Sequence, residues 1–201
     1  MSEEGPLPDF REDQTPDPGE LSSDLRNRFS RVRLLLCDVD GVLTDAGVYI
    51  AESPSGPMEL KRFNIQDGLG LVLLRSAGIK VGWISARMSS STQARARELG
   101  IDFLAQGKRG KLAAAREVAD SMGITLEEVC FIGDDIVDLA VMKKVGLAAA
   151  VRNARKDVIK SAHYRTRQSG GHGAVREVCE LILKATGLWD QAVEKYFGDH
   201  E

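Results

Sequence analysis

Leu34-Leu35-Leu36-Cys37-Asp38-Val39-Asp40-Gly41-Val42-Leu43-Thr44-Asp45 is the stretch on which the reading of this chain turns. Its apolar half reads as a buried strand, and that strand ends abruptly in two carboxylates one residue apart, followed by glycine. A buried strand has no structural use for such charge at its tip, because unpaired carboxylates are costly to desolvate. A divalent cation would offset their repulsion, and the carboxyl ends of strands in open α/β sheets are where ligands bind. The pattern therefore predicts a metal-assisted nucleophilic site. A plain Asp-Gly turn would not require Asp38 as well as Asp40. A calcium loop of the EF-hand kind would need an oxygen ligand at its fifth position, glycine at its sixth and glutamate at its twelfth. Val42, Leu43 and Tyr49 stand there instead.

Working outward, 201 residues suffice for one domain with a full core, and 43% hydrophobic with 28% charged residues is the composition of a soluble globular protein. A net charge of -3 argues against a general nucleic-acid binder. No apolar run approaches a membrane span, and no basic-then-apolar secretion signal opens the chain. Cys37, Cys130 and Cys179 are far apart and form no metal-ligand pair. Cys37 and Cys130 lie in apolar runs and read as small core residues of a reduced, cytoplasmic protein. Residues 1–30 hold four of the six prolines and many acidic residues, so they read as a disordered or loosely attached arm. Residues 31–201 read as the folded domain.

Within that domain strands and helices alternate. Strands are expected at 33–37, 80–84, 103–105, 129–132 and 147–151. Helices are expected at 68–76, 89–99, 111–122, 136–145, 174–186 and 188–197, with Thr125-x-x-Glu128 as a capping box opening a brief turn. Residues 47–50 and 58–62 alternate in character around Ser53-Pro54-Ser55-Gly56-Pro57 and predict a β-hairpin. The fold class is α/β: a parallel sheet flanked by helices, with a small hairpin flap.

Three further constellations carry chemistry. Gly133-Asp134-Asp135-x-x-Asp138 follows the strand at 129–132. One aspartate there would serve as a helix cap; three of them, opposite a second acidic strand end, point to metal binding. Oxygen ligands completed by water and phosphate suit Mg²⁺. Ser85-Ala86-Arg87, after the strand at 80–84, offers a hydroxyl and backbone N–H groups to a phosphoryl group. Lys111 opens a helix, where its charge opposes the macrodipole, so an anion or the carboxylate cluster must account for it. Lys108 and Arg109 read as solvated.

These four elements, in this order, resemble the haloacid dehalogenase superfamily of phosphatases over residues 32–185. Asp38-Val39-Asp40-Gly41-Val42-Leu43-Thr44-Asp45, Lys61-x-Phe63-Asn64-x-x-Asp67-Gly68-x-Gly70, Gly133-Asp134-Asp135, Val141-Met142-x-x-Val145-Gly146-Leu147 and Gly170-Gly171-x-Gly173-Ala174-Val175-Arg176-Glu177-Val178 resemble, more closely, the 3-deoxy-D-manno-octulosonate 8-phosphate phosphatase family, which serves the making of the lipopolysaccharide sugar Kdo. The resemblance implies a capless fold, and the short stretch from Asp45 to Asp67 has room for a hairpin but no cap. It also implies a homotetramer in which neighbouring hairpins and tails close the site. Two positions depart from the family pattern: Ala86 stands where glycine is usual, and His172 where arginine often lies between the tail glycines. They bear on the sugar, and a nine-carbon sugar-acid 9-phosphate is the alternative substrate on the same scaffold. A non-catalytic oligomerisation domain would have lost a catalytic carboxylate or the lysine.

The resemblance assigns roles as follows. Asp38 is the nucleophile, Asp40 the general acid and base, and Lys111 with Ser85 holds the phosphoryl oxygens. Asp38, Asp134 and the backbone carbonyl of Asp40 hold Mg²⁺, while Asp138 or Asp135 orients bound water. Ser85, Ala86, Arg87, Asp67, Gly68, Gly171 and Arg176 form the expected substrate contacts.

Overall fold

The computed structural model describes residues 15–54, 56–107 and 110–198. Most of the expected N-terminal arm, Ser55 of the hairpin turn, and Lys108 with Arg109 lie outside the described residues.

Six parallel strands form the sheet: β1 (Leu34–Cys37), β4 (Lys80–Ile84), β5 (Phe103–Ala105), β6 (Val129–Gly133), β7 (Leu147–Ala150) and β8 (Tyr164–Arg165). Their spatial order is β5-β4-β1-β6-β7-β8. The chain leaves β1 toward one edge and later returns to build the other half, so the strand order reverses at β1. That reversal opens a crevice at the strands' carboxyl ends. Cys37 pairs with Trp83 of β4 on one side and Ile132 of β6 on the other. In this register Asp38, Ser85 and Asp134 all emerge at one edge.

β1 is buried along its whole length because helices cover both faces of a parallel sheet. Strand period two sends Leu35 and Cys37 into one apolar cluster and Leu34 and Leu36 into the other. The first cluster is covered by α1 (Ser23–Ser30), α2 (Ile65–Ser76), α7 (Ala174–Ala185) and α8 (Trp189–Gly198), with Ala96 of α3 (Ser90–Glu98) joining it. The second lies under α4 (Lys111–Ser121), α5 (Leu139–Met142) and α6 (Lys156–Ser161). No helix of the described residues is long and apolar enough to cross a membrane. The expected hairpin is present as β2 (Tyr49–Ala51) and β3 (Met58–Leu60), with Ile50 opposite Glu59. All three cysteines are free and buried.

Several elements differ from the sequence reading. Residues 23–30, expected as loose arm, form α1. The Ser22 hydroxyl caps it by accepting from the Leu25 N–H, and Phe29 is fully buried edge-on against Tyr164, centroids 5.5 Å apart. A single aromatic anchor in a proline-rich, acidic stretch has too weak a pattern to register. α2 begins at Ile65 rather than 68, because the Asn64 carboxamide accepts from the Gln66 and Asp67 N–H groups at 2.7 and 3.3 Å. The expected helix at 136–145 is a 3-10 turn, Ile136–Asp138, followed by the single turn of α5. α6 and β8 had no expectation in sequence, since β8 spans only two residues.

Removing the α1 anchor tests its place in the fold. Phe29→Ala is expected to cost about 3–5 kcal/mol in urea unfolding; a loss under about 1 kcal/mol would show that α1 is not part of the cooperative unit.

Candidate active site

The loop after β1 separates its two carboxylates. Thr44 shapes it: its hydroxyl accepts from the Gly41 N–H at 3.3 Å and donates to the Val39 carbonyl at 3.4 Å. Gly41 takes φ +97°, and a side chain there would place its Cβ 2.2 Å from Asp134 Oδ2. Glycine is therefore required for the two acidic strand ends to meet.

Asp38 points inward. Its Oδ1 accepts from the Val39 N–H at 2.7 Å and pairs with Lys111 Nζ at 2.8 Å. Lys111 Nζ also donates to Asp138 Oδ1 at 2.6 Å. The other oxygen of Asp138 accepts from the Asp134 and Asp135 N–H groups at 3.0 and 3.3 Å. Asp138 thus shapes the turn after β6 and anchors the amine. Asp135 caps that same turn through the Ile136 N–H at 2.7 Å.

Asp38, Asp134 and Asp138 each offer an oxygen such that the three lie within 4.8 Å of one another. Burial pushes Asp38 up to about 6, with the Asp138 charge adding to it against Lys111. Burial pushes Asp134 up to about 8, with the Asp38 and Asp138 charges adding. Burial also works against the Lys111 charge, yet Asp38 and Asp138 outweigh it and hold the amine above its ordinary value. Among the described residues Asp134 Oδ1, which is buried, has no hydrogen-bond partner. One lysine against three carboxylates, together with an orphaned buried oxygen, is a donor set that fits a hard divalent cation.

Asp40 turns the other way. Its Oδ1 meets Lys61 Nζ at 2.6 Å, and its Oδ2 accepts from the Ser85 hydroxyl at 3.4 Å. The Ser85 oxygen in turn accepts from the Arg87 N–H at 3.1 Å, the turn expected beside Ala86. The Arg87 guanidinium pairs with Glu59 of β3, and the Ser91 hydroxyl donates to the Glu59 carbonyl at 3.0 Å. These contacts tie the hairpin to the tip of β4. Lys61 and Glu59 are the residues that sequence reasoning did not assign. Their signal was present: in Met58-Glu59-Leu60-Lys61 the period of two sets both charges on one face and both apolar residues on the other.

The tail packs on the catalytic loop. Gly171 N–H donates to the Val42 carbonyl at 2.9 Å, and a Cβ on Gly170 would lie 1.8 Å from the Gly41 carbonyl oxygen. Asp67, expected near substrate, is buried at the start of α7 instead, accepting from the Gly173 and Arg176 N–H groups at 3.3 and 2.8 Å. Burial pushes its carboxyl up to about 6, against those N–H groups. Gly68 leaves room for the Arg95 guanidinium. The Arg176 side chain bonds Glu180 at 2.6 Å and lies over Trp189. It lines a groove of about 720 Å³, also bordered by Gln66, His172 and Lys184, that contains none of the clustered aspartates. The structure therefore gathers Asp38, Asp40, Ser85, Arg87, Lys111 and Asp134 at one edge, brings Gly171 against the catalytic loop, and gives Asp67, Gly68 and Arg176 packing partners.

Comparison with known proteins agrees with this geometry. Residues 94–178 match the haloacid dehalogenase-like hydrolase family. The 3-deoxy-D-manno-octulosonate 8-phosphate phosphatase of Escherichia coli (strain K12) is 41% identical over 174 residues, covering 87% of this chain and 91% of the relative. The crystal structure of the phosphatase of that name from Yersinia pestis superposes with TM-score 0.80 at 42% identity, covering 85% of this chain and 90% of that one. The Moraxella catarrhalis phosphatase, solved in complex with a magnesium ion, a phosphate ion and a KDO molecule, gives 0.81 at 37% identity, covering 88% and 99%. With that much of both sequences in register, and with the acidic strand ends, hydroxyl and lysine assembled at one edge, the chain belongs to the 3-deoxy-D-manno-octulosonate 8-phosphate phosphatase family of haloacid dehalogenase-like hydrolases.

Proposed function

We propose that this protein is a cytoplasmic, Mg²⁺-dependent phosphatase that hydrolyses 3-deoxy-D-manno-octulosonate 8-phosphate to Kdo and inorganic phosphate, in lipopolysaccharide precursor synthesis. The observation that carries the reading is the separation of Asp38 and Asp40. One lies in a buried acidic cluster with an amine, and the other faces a hydroxyl at the next strand tip. That division suits a nucleophile and a separate proton donor.

Asp38 attacks phosphorus in line, forming an acyl phosphate as the ester P–O bond breaks. Asp40 gives its proton to the departing sugar oxygen. It then takes a proton from water, whose oxygen attacks phosphorus and breaks the bond to Asp38, leaving inorganic phosphate and a free carboxylate. Ser85 and Lys111 hold phosphoryl oxygens and stabilise charge that develops on them. The Asp38 and Asp134 carboxylates and the Asp40 main-chain carbonyl would hold Mg²⁺, and Asp138 fixes Lys111 and the turn that carries Asp134. The cation, when bound, neutralises negative charge shared by the carboxylates and the phosphoryl group. Ser85, Ala86, Arg87, Asp67, Gly68, Gly171 and Arg176 are the candidates for substrate contact.

A homotetramer is part of the same proposal. The hairpin turns Glu59 and Lys61 inward and leaves Tyr49, Met58 and Leu60, on its opposite face, each 45% exposed. An apolar patch of this kind on a soluble protein marks an interface.

Phosphate release from Kdo 8-phosphate with Mg²⁺ tests the activity. Asp38→Asn is expected to lose on the order of 1,000-fold or more in kcat while still binding Mg²⁺; retained turnover would sink the covalent route. Leu60→Glu, which sets a charge in the patch, is expected to lower the sedimentation mass below that of a tetramer, and an unchanged tetramer would remove the hairpin from the interface. pH gives a further check. Because the folded carboxyls of Asp38 and Asp134 sit above their ordinary range, metal-free protein is favoured most below about pH 4, and that advantage is lost as pH rises through about 6 and about 8. The rise in Tm caused by Mg²⁺ should accordingly be larger at pH 8 than at pH 5.5; an equal rise at both would contradict the cluster as the binding site.

A further inference from the structure

The mechanism above leaves the Lys61 amine without a role. Its side chain is only 3% exposed, although it follows directly on β3 in a hairpin whose other face is open to solvent. A buried ammonium is unfavourable unless paired and hydrogen-bonded. Its nearest partner is Asp40 Oδ1 at 2.6 Å, and Glu59 Oε1 lies 3.7 Å away on the other side. Glu59 is itself held by Arg87, and its backbone carbonyl accepts from Ser91. Immediately beyond Lys61 the chain is anchored. Phe63 bridges to Thr44 of the catalytic loop and stacks on Trp83, ring centroids 6.1 Å apart. The amine is thus delivered to Asp40 from a strand fixed at several points.

The consequence concerns which oxygen of Asp40 works. An aspartate carboxyl rotates broadly about its last torsion, and a proton donor must present one oxygen along the line to the departing ester oxygen. Lys61 occupies Oδ1. Oδ2 is left facing Ser85, where the phosphoryl group sits in the proposed function. As Oδ2 releases its proton, negative charge appears on a carboxylate already in contact with an ammonium, so the same contact favours the transition state.

Resting on that functional reading, we propose that Lys61 is a positioning residue for proton donation: it pins Asp40 Oδ1, aims Oδ2 at the leaving oxygen, and makes protonation of the leaving group depend on the seating of the hairpin. A salt bridge serving only to attach the hairpin would affect every substrate alike. A positioning role acts on leaving groups that need a proton and spares those that depart as stable anions.

The experiment compares kcat/KM of wild type and Lys61→Met, both full-length with saturating Mg²⁺, on Kdo 8-phosphate and on p-nitrophenyl phosphate. This ratio covers the steps through loss of the leaving group, so hydrolysis of the phosphoenzyme does not enter it. The expected result is a loss of about 100-fold on the sugar ester and no more than about 3-fold on the aryl ester. Lys61→Gln, which keeps a hydrogen-bond donor toward Asp40 Oδ1 but removes the charge, should show the same contrast on a smaller scale, about 10-fold against none, and it carries the test if Lys61→Met does not fold. Equal losses on both esters overturn the proposal. Wild-type turnover of p-nitrophenyl phosphate without turnover of Kdo 8-phosphate would refute the sugar assignment alone, and the contrast would then be read on glycerol phosphate.

Discussion

The Lys111 amine, held between Asp38 at 2.8 Å and Asp138 at 2.6 Å, is the contact on which the working end of this molecule depends. It joins three elements that enter the sheet edge from different directions: the tip of β1, the first residue of α4, and the turn after β6. Its energetics are finely set. A lysine at the first position of a helix opposes the macrodipole and loses hydration on burial. Two carboxylates return that loss, and they would repel each other without it. Removing the amine would leave two buried charges unpaired, which costs far more than the pair is worth by itself. The amine is therefore a structural part of the acidic cluster, whatever it does for phosphate in the proposed function.

This dependence explains why so much of the surrounding backbone is glycine. Three chain segments must lie within a few ångströms of one another at the strand tips, and a Cβ would intrude at each crossing. Gly41 admits Asp134, and Gly170 lies directly on the Gly41 carbonyl. Main-chain hydrogen bonds then replace side-chain packing, with Gly171 donating to Val42. The tail is consequently a packed wall of the catalytic loop rather than a flexible lead into α7. Asp67 completes it by accepting from N–H groups at the start of α7, which uses one buried carboxylate to close a helix end and to tie α2 to α7.

The parts of this arrangement that were legible in sequence are those with a local signature. Leu34–Cys37 is apolar on both faces, which only a central parallel strand allows, and charge at the tip of such a strand has no packing explanation. Asp38, Asp134 and Lys111 followed from that conflict between local charge and expected burial. What escaped was decided by distant partners. Asp67 stands in a motif-like setting and reads as a ligand contact, and the Arg176 N–H that its carboxylate accepts from lies 109 positions along the chain, so no local pattern reveals that contact. Phe29 likewise takes its meaning from Tyr164. α5 is short because the turn before it is spent on Asp138, a commitment visible only once Lys111 is in place.

In the proposed mechanism, Asp38 and Asp40 take different duties because of their environment rather than their residue type. They are the same side chain two residues apart on one loop. Val39 lies between them, fully buried, so the loop cannot roll to exchange their places without exposing an apolar residue and breaking the Thr44 contacts. Asp38 is consequently confined to a region where negative charge is crowded and water is scarce. Asp40 is confined to one where a single ammonium and a hydroxyl fix its two oxygens separately. A general acid must hold and release a proton within one turnover, whereas a nucleophile must stay ionised throughout. Identical carboxyls can divide those duties only when their surroundings are held apart. In this chain the separation is enforced by one buried valine, one threonine hydroxyl and one positive-φ glycine, none of which touches the reacting atoms.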